Sequence, residues 1–369
     1  MSKLIKVCHF TSAHKCNDVR IFHKECVSLA NAGFDVTLIA TNCESQVLNG
    51  VKIIGVENNS TGRFYRMTKN ARNVYKAALA LNADIYHVHD PEQLPFALKL
   101  KRKGKKVIYD AHEDLPRQIL GKYWINKWIR SIVSGAFEIY ENYVAKRVDY
   151  IIAATPFIKE RFLKVNKNTL DVCNYTILKE LVKEVVWTNK KNEICYVGGI
   201  TKIRGITEVV KALEYTTVKL NLAGEYSPLN LRDELMSLKG WQQVNEYGFI
   251  GMEQVSELFV KSKIGMVTLY PQINYLDSLP IKMFEYMLAG IPVIASDFLL
   301  WKKIIEENNC GMCVDPLNPK AISSTIDLIL SDDAKAEKMG QNGRKVVLEK
   351  YNWSVEEKKL VSIYNNILK

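Results

Sequence analysis

No uninterrupted apolar run in this chain approaches the roughly 20 residues that a bilayer-crossing helix needs. The opening MSKLIKVCHF enters a strand pattern directly rather than a leader peptide, so the expectation is a cytoplasmic protein. Cysteine provides no framework. The eight thiols, at positions 8, 16, 26, 43, 173, 195, 310 and 313, follow no disulfide spacing and are expected to stay reduced. The lone CxxC, Cys310 to Cys313, has neither a second CxxC nor a histidine pair beside it, so buried thiols are expected there rather than zinc or redox chemistry. Also missing are repeats, low-complexity tracts and a GxGxxG after the first strand, which removes the usual dinucleotide fingerprint.

What is present is a chain of 369 residues, longer than one core usually supports, with 47% hydrophobic and 25% charged residues. Short apolar runs alternate with helical patterns in both halves, which predicts an α/β protein with two Rossmann-like domains. The expected divisions are an N-terminal domain over 1–180, a C-terminal domain over 181–352 and a terminal helix over 353–369, with the polar stretch 179–192 as the linker. The net charge of +11 lies entirely in the first half: residues 1–186 hold 29 basic and 18 acidic residues, and residues 187–369 hold 22 of each. A one-sided basic half suggests an anionic surface, a membrane leaflet or nucleic acid, against the plainer reading of a solvated lysine-rich face.

The most informative stretch is YLDSLPIKMFEYMLAGIPVIASD, residues 275–297. Pro280 suits the first helical position, Ile281, Phe284, Met287 and Leu288 recur at helical spacing, and Gly290 suits the C-terminal cap. A buried parallel strand follows from Ile291 to Ser296. Unbonded amides and the positive end of the helix dipole then point at the loop of Asp277, Ser278 and Leu279, a place for a phosphate, and Lys282 adds a cation in the first turn. Glu285, eight positions after Asp277, leans back toward the same end. Carboxylates beside a phosphate site are suited to hydroxyl groups, and nucleotide sugars carry hydroxyls on both sides of a pyrophosphate.

This arrangement resembles the acidic-x7-Glu motif of retaining glycosyltransferases of family 4, which have the GT-B fold. That family usually has Glu at the first position, where this chain has Asp277, one methylene shorter. The second half opens with ICYVGG and the loop ITKIRG, whose Gly199, Arg204 and Gly205 precede a helix. The family usually has Arg-x4-Lys here, both cations on the donor pyrophosphate; in this chain the two positions are Gly199 and Arg204. NEYGFIG resembles the family segment that reads the nucleobase, which points to Tyr247, Phe249 and Ile250.

In the first half, the loop after the first strand carries Asn17, Asp18 and Arg20 and resembles an Asp-Val-Arg loop in one branch of the family. Arg20 either meets a phosphate or acceptor, or holds the loop against Asp18. His87 and His89 alternate onto one strand face, a possible metal pair without a third ligand at recognisable spacing, and His89 and Asp90 end that strand. His112 in YDAHED resembles the histidine that faces the reacting sugar across the family's inter-domain cleft; a satisfied structural histidine is the alternative. Residues 118–144 interleave Tyr123, Trp124, Trp128, Ile129 and Ile132 with Lys122, Lys127 and Arg130, which fits a helix lying on an anionic membrane, with burial of the rings in the core as the rival.

The resemblance implies a retaining glycosyltransferase, metal-independent and without a cofactor, peripheral on the inner face of the plasma membrane. The implied donor is a nucleotide sugar, with UDP as its nucleotide. The implied acceptor is a saccharide, lipid-linked, in bacterial surface polysaccharide synthesis. No nucleic-acid partner is expected. Arg204 and Lys282 are expected on the diphosphate, Glu285 on the ribose, Asp277 on the donor sugar and His112 on the reaction side. A nucleotide-sugar epimerase and a non-enzymatic basic binding protein remain the alternatives.

Overall fold

Strand runs such as KVCHF and KVIYDA, apolar on both faces, require cover from both sides, and the flanking amphipathic helices provide it. The computed structural model describes residues 4–57, 62, 65–122, 125–178 and 186–368. The chain divides into two compact units, Met1–Asn174 with Ser354–Lys369, and Tyr175–Trp353. The division thus falls a few residues before the expected one, and residues 179–185 of the expected linker lie outside the described residues.

The first unit's sheet contains β1 (Lys6–Phe10), β2 (Asp35–Thr41), β3 (Gln46–Leu48), β4 (Val51–Val56), β5 (Ile85–Val88), β6 (Lys106–Ala111), β7 (Tyr150–Ala153) and β8 (Thr169–Asp171). Their order is β3-β4-β2-β1-β5-β6-β7-β8, parallel except for the antiparallel β3–β4 pair. The order reverses between β1 and β5, and an open parallel sheet places ligands beyond the strand ends at such a reversal. Phe10, Tyr86, Val88, Tyr109, Ile151 and Phe162 are among the core side chains.

The helix after β1 begins at Val19, as wide turns over Val19–Cys26 that continue into an α-helix over Val27–Asn31. Asp18 caps it, its Oδ1 accepting from the amides of Arg20 and Ile21 at 2.9 Å each. The aromatic-basic stretch is two helices, Leu115–Leu120 and Lys127–Ala145, with Gly121 capping the first. Tyr123 and Trp124 lie outside the described residues, but Trp128 is 80% exposed, and Ile129, Ile132 and Ile139 also face outward, so the core reading fails for these side chains. No described helix is long and apolar enough to cross a membrane.

The second unit's sheet is wholly parallel: β9 (Glu193–Val197), β10 (Lys219–Ala223), β11 (Val244–Gly248), β12 (Ile264–Val267), β13 (Val293–Ser296) and β14 (Gly311–Val314), in the order β11-β10-β9-β12-β13-β14. Its reversal falls between β9 and β12, so the loops after those strands mark the place for a ligand. Cys310 and Cys313 are free thiols, the first buried and the second half-buried. Burial pushes both up to about 12, so as free thiols they are protonated at neutral pH.

Candidate functional site

In the second unit the chain leaves β9 through Gly198, at φ +120°, and then Gly199. Tyr286 fixes this exit from below, its hydroxyl accepting from the Val197 amide at 2.9 Å. The Gly199 carbonyl accepts from Tyr196 Oη at 2.9 Å and from a terminal nitrogen of Arg204 at 3.2 Å. A Cβ at residue 199 would lie 2.8 Å from that guanidinium, so the glycine leaves the space into which Arg204 folds. Gly205, at φ +78°, caps the following helix, Ile206–Ala212, and a side chain there would run into the Thr268 carbonyl.

Lys282 comes to the same place from the other side of the reversal. Its Nζ stands 3.7 Å from the centre of the Tyr196 ring, and 3.3 Å from where a Cβ of Gly198 would be. The stem of Lys282 is partly exposed, yet Nζ itself is shielded from water and has no hydrogen-bond acceptor among the described residues. Burial first and the neighbouring Arg204 second depress the ammonium to about 7, against an opposing pull from Glu285. Two cations therefore converge over a tyrosine ring and a carbonyl, with Glu285 within electrostatic reach of Lys282.

The helix that carries Lys282 runs Ile281–Leu288. Pro280 is its N-cap rather than its first residue, and no side chain caps it, so the amides of Ile281 and Lys282 lack an intrahelical partner, while that of Met283 donates to the Pro280 carbonyl at 3.0 Å. Met283, Phe284, Tyr286, Met287 and Leu288 bury one face, while Glu285 is half-buried on another. The preceding loop is pinned by Ser278, whose amide and hydroxyl donate to the Tyr275 carbonyl at 3.1 and 2.9 Å and whose own carbonyl accepts from Trp301 Nε1 at 2.7 Å. Asp277, Ser278 and Leu279 are all half-buried there. Beside Gly198 and Gly199 opens a cavity of about 160 Å³, lined also by Gly224, Glu225, Phe249 and Ile250; Phe249 is 79% exposed.

Of the residues expected here, the structure gathers Gly199, Arg204 and Lys282 tightly, sets Glu285 within electrostatic reach, and places Phe249 and Ile250 on the adjoining cavity. Tyr196, the platform beneath both cations, was not anticipated. As an alternate residue of a buried strand it looks like core, and nothing local marks it.

In the first unit the expected set separates. Asn17 is exposed on the loop after β1. Arg20, 4% exposed, points inward: Nε and a terminal nitrogen donate to Asp110 at 3.1 and 2.8 Å, and the other terminal nitrogen donates to the Val172 carbonyl at 2.7 Å. It neither faces outward to a phosphate nor turns its side chain to Asp18. His89, 2% exposed, is also interior, whereas His112 remains partly exposed with Nε2 at 2.9 Å from Asp110 Oδ2 and 3.1 Å from His89 Nδ1. His89 and Asp110 therefore support His112 from behind. Asp90 was noticed only as a strand end. Burial alone would raise its pKa, but hydrogen bonds from His14, the Ser12 amide and Thr11 outweigh it and hold the carboxyl at about 2.

Comparison with known proteins matches each unit to a family model. Residues 179–346 match the model described as glycosyl transferases group 1, and residues 20–172 match glycosyltransferase family 4. An uncharacterized glycosyltransferase of Methanocaldococcus jannaschii is 30% identical over 176 residues, 46% of this chain and 44% of that protein. The capsular polysaccharide biosynthesis glycosyltransferase CapM of Staphylococcus aureus is 25% identical over 187 residues, 48% of this chain and 46% of that protein. The matched region thus spans about half the length of each of these relatives. Among solved structures, a sucrose-phosphate synthase of Thermosynechococcus elongatus superposes with a TM-score of 0.79 over 99% of both chains at 17% identity. HepE of Anabaena, solved with UDP and glucose, gives 0.73 over 98% of this chain and 99% of its own at 12% identity.

Proposed function

The chain belongs to the group 1 glycosyltransferases of family 4, with the GT-B type of α/β fold, and on that premise we propose that it is a retaining glycosyltransferase. It takes a sugar from a UDP-sugar and places it on a saccharide acceptor, lipid-linked, in the synthesis of a surface polysaccharide. The observation that carries this reading is the pair Arg204 and Lys282, two neighbouring cations, one of them a shielded ammonium without an acceptor. A diphosphate accepting from both relieves their repulsion and restores the charge on Lys282. The UDP and glucose bound by HepE, which shares the fold, support the choice of nucleotide. CapM, a relative by sequence, supports the choice of pathway.

The reaction breaks the bond between the anomeric carbon and the diphosphate. Negative charge grows on the leaving oxygen, and groups already aimed at it lower the barrier without reorganising. Arg204, Lys282 and the Leu279 amide take that role, while the Ser278 amide, given to the Tyr275 carbonyl, holds the loop in place. Glu285 accepts from the ribose hydroxyls, Asp277 from the donor sugar, and Phe249 with Ile250 flanks the base. His112, backed by Asp110 and His89, serves the acceptor side. The acceptor attacks the face from which the leaving group departs, so configuration is kept without an enzyme nucleophile. The cations replace a metal at the leaving group, and adding EDTA to the assay is expected to leave the rate unchanged.

Thermal unfolding across a panel of nucleotide sugars tests the assignment: a UDP-sugar raises the midpoint, and no response to UDP, GDP or ADP sugars overturns it. Donor alone must stay intact apart from slow hydrolysis; an isomer appearing without acceptor identifies an epimerase instead. The outward apolar face of the Lys127–Ala145 helix, with Lys127, Arg130, Lys146 and Arg147, supports docking on an anionic bilayer. Replacing Trp128 and Ile132 with serine is expected to release the protein from phosphatidylglycerol vesicles, and unchanged partitioning rejects that docking.

A further inference from the structure

Behind His112, and sharing His89 with its support, the interior of the first unit gathers His9 on β1, His87 on β5, His89 just beyond it, and Glu25 on the first helix. All four are 0–2% exposed, and one ligand atom from each lies within 4.8 Å of the other three. His9 Nδ1 is 2.9 Å from His89 Nε2, and Glu25 Oε2 is 4.0 Å from both His9 Nδ1 and His87 Nε2. Ligand atoms around tetrahedral zinc stand roughly 3.3 Å apart, so side-chain shifts of less than an ångström convert this cluster into a coordination sphere. We propose that these four side chains bind one divalent transition-metal ion, zinc by the chemistry of its donors, as a structural centre of the first unit.

The hydrogen bonds behind the four groups carry the assignment further. A metal-bound imidazole donates its remaining N–H to a fixed acceptor, and each of the three histidines has one. With His9 bound through Nδ1 and His87 through Nε2, His9 Nε2 and His87 Nδ1 donate to the hydroxyl of Tyr364 at 3.0 and 2.6 Å. One hydroxyl accepts both, since it has two lone pairs. His89 bound through Nε2 leaves Nδ1 to donate to Asp110 at 3.3 Å or His112 at 3.1 Å.

His9 Nδ1 and His89 Nε2 meet each other, whereas the remaining facing atoms have charged neighbours only. Both oxygens of Glu25 and Nε2 of His87 are buried with no hydrogen-bond partner among the described residues. Arg20 lies 3.1 Å from Glu25 Oε1, but its fork is aligned on Asp110 and Val172, so two interior carboxylates share one guanidinium. A dication on Glu25 gives each carboxylate a cation of its own, and four protein ligands leave no open position for substrate, so its role is to hold strands and helix together.

The test uses the full chain, purified without chelator or affinity nickel and analysed for metal by mass spectrometry. About one zinc per chain is expected, retained through gel filtration and lost after unfolding in chelator. Cobalt exchanged during refolding should show the visible absorption of a four-coordinate nitrogen and oxygen site. His87→Gln and Glu25→Gln are each expected to reduce metal content to near zero, whereas a Cys310→Ser and Cys313→Ser double variant keeps it. Wild-type chain that refolds without metal and takes up no zinc overturns the proposal, as does zinc that survives both interior substitutions and leaves with the cysteines. If either interior variant fails to fold, the wild-type stoichiometry and the cobalt spectrum decide alone.

Discussion

Arg20 and Arg204 hold similar places in the two units: each follows the first strand of its unit's sheet, Arg20 in the first turn of the next helix and Arg204 just before it. Their fates are opposite. Arg20 is sunk beneath a strand end, saturated by Asp110, Val172 and Glu25, while Arg204 lies over Gly199 with a carbonyl for an acceptor and another cation beside it. The difference comes from the surrounding strand ends. Where β6 finishes in a carboxylate, an arginine becomes part of the core; where β9 finishes in two glycines, it stays available to an anion. Position in the fold brings a cation near a site, and its neighbours decide whether it works there.

The largest effect separates the two arginines by stability. Arg20→Met strands Asp110 and Glu25, and losing one partner of a buried ion pair costs about 3–5 kcal/mol, to be read from urea unfolding. Arg204→Ala should leave the unfolding midpoint in place but lower kcat/KM by roughly 10²–10³-fold, the scale for removing one charge-stabilising donor. A reversed pattern, with Arg20→Met stable and inactive, breaks the comparison.

Lys282 sharpens it through pH. Because its ammonium titrates at about 7, it is mostly charged at pH 6 and mostly neutral at pH 8, and binding a diphosphate at the higher pH must first recover a proton. A nucleotide sugar, whose diphosphate does not titrate in this window, is expected to bind roughly tenfold more weakly at pH 8 than at pH 6 by calorimetry. Lys282→Met should be weak at both and lose that dependence. The smallest effect belongs to Gly199→Ala: the new methyl pushes the guanidinium aside, raising KM by a few-fold, about 1 kcal/mol or less, with stability unchanged.

Much of the second unit's site was legible because its parts are close in sequence. The 198–205 loop and the 277–285 segment each declare a helix start by local spacing, and Gly199 with Arg204 is a separation of five residues that folds back on itself. The first unit's site was poorly legible for the converse reason. Arg20 finds Asp110 at a separation of 90 residues, and His87 finds Tyr364 at 277, and no periodicity encodes such pairings. His87 and His89 were rightly seen to share a strand face, but Glu25 and His9 come from other elements, so the cluster emerges only when β1, β5 and the first helix pack. Helix limits failed at polar or kinked points: the stretch around Gly121 splits one expected helix, and Pro280 stops short of entering the next.

Tyr364 sits in the last segment of the chain, residues 354–369, yet its hydroxyl lies between two histidines of the first unit's interior, and Glu356 accepts from the amide of Cys173 in the same unit. On the ribosome that unit cannot complete its interior when its own strands emerge. It must wait while residues 175–353 are made, roughly ten to thirty-five seconds at about 5–20 residues per second. During that delay a half-finished sheet, with charged and imidazole groups still uncovered, is the form of this protein that nascent-chain chaperones encounter.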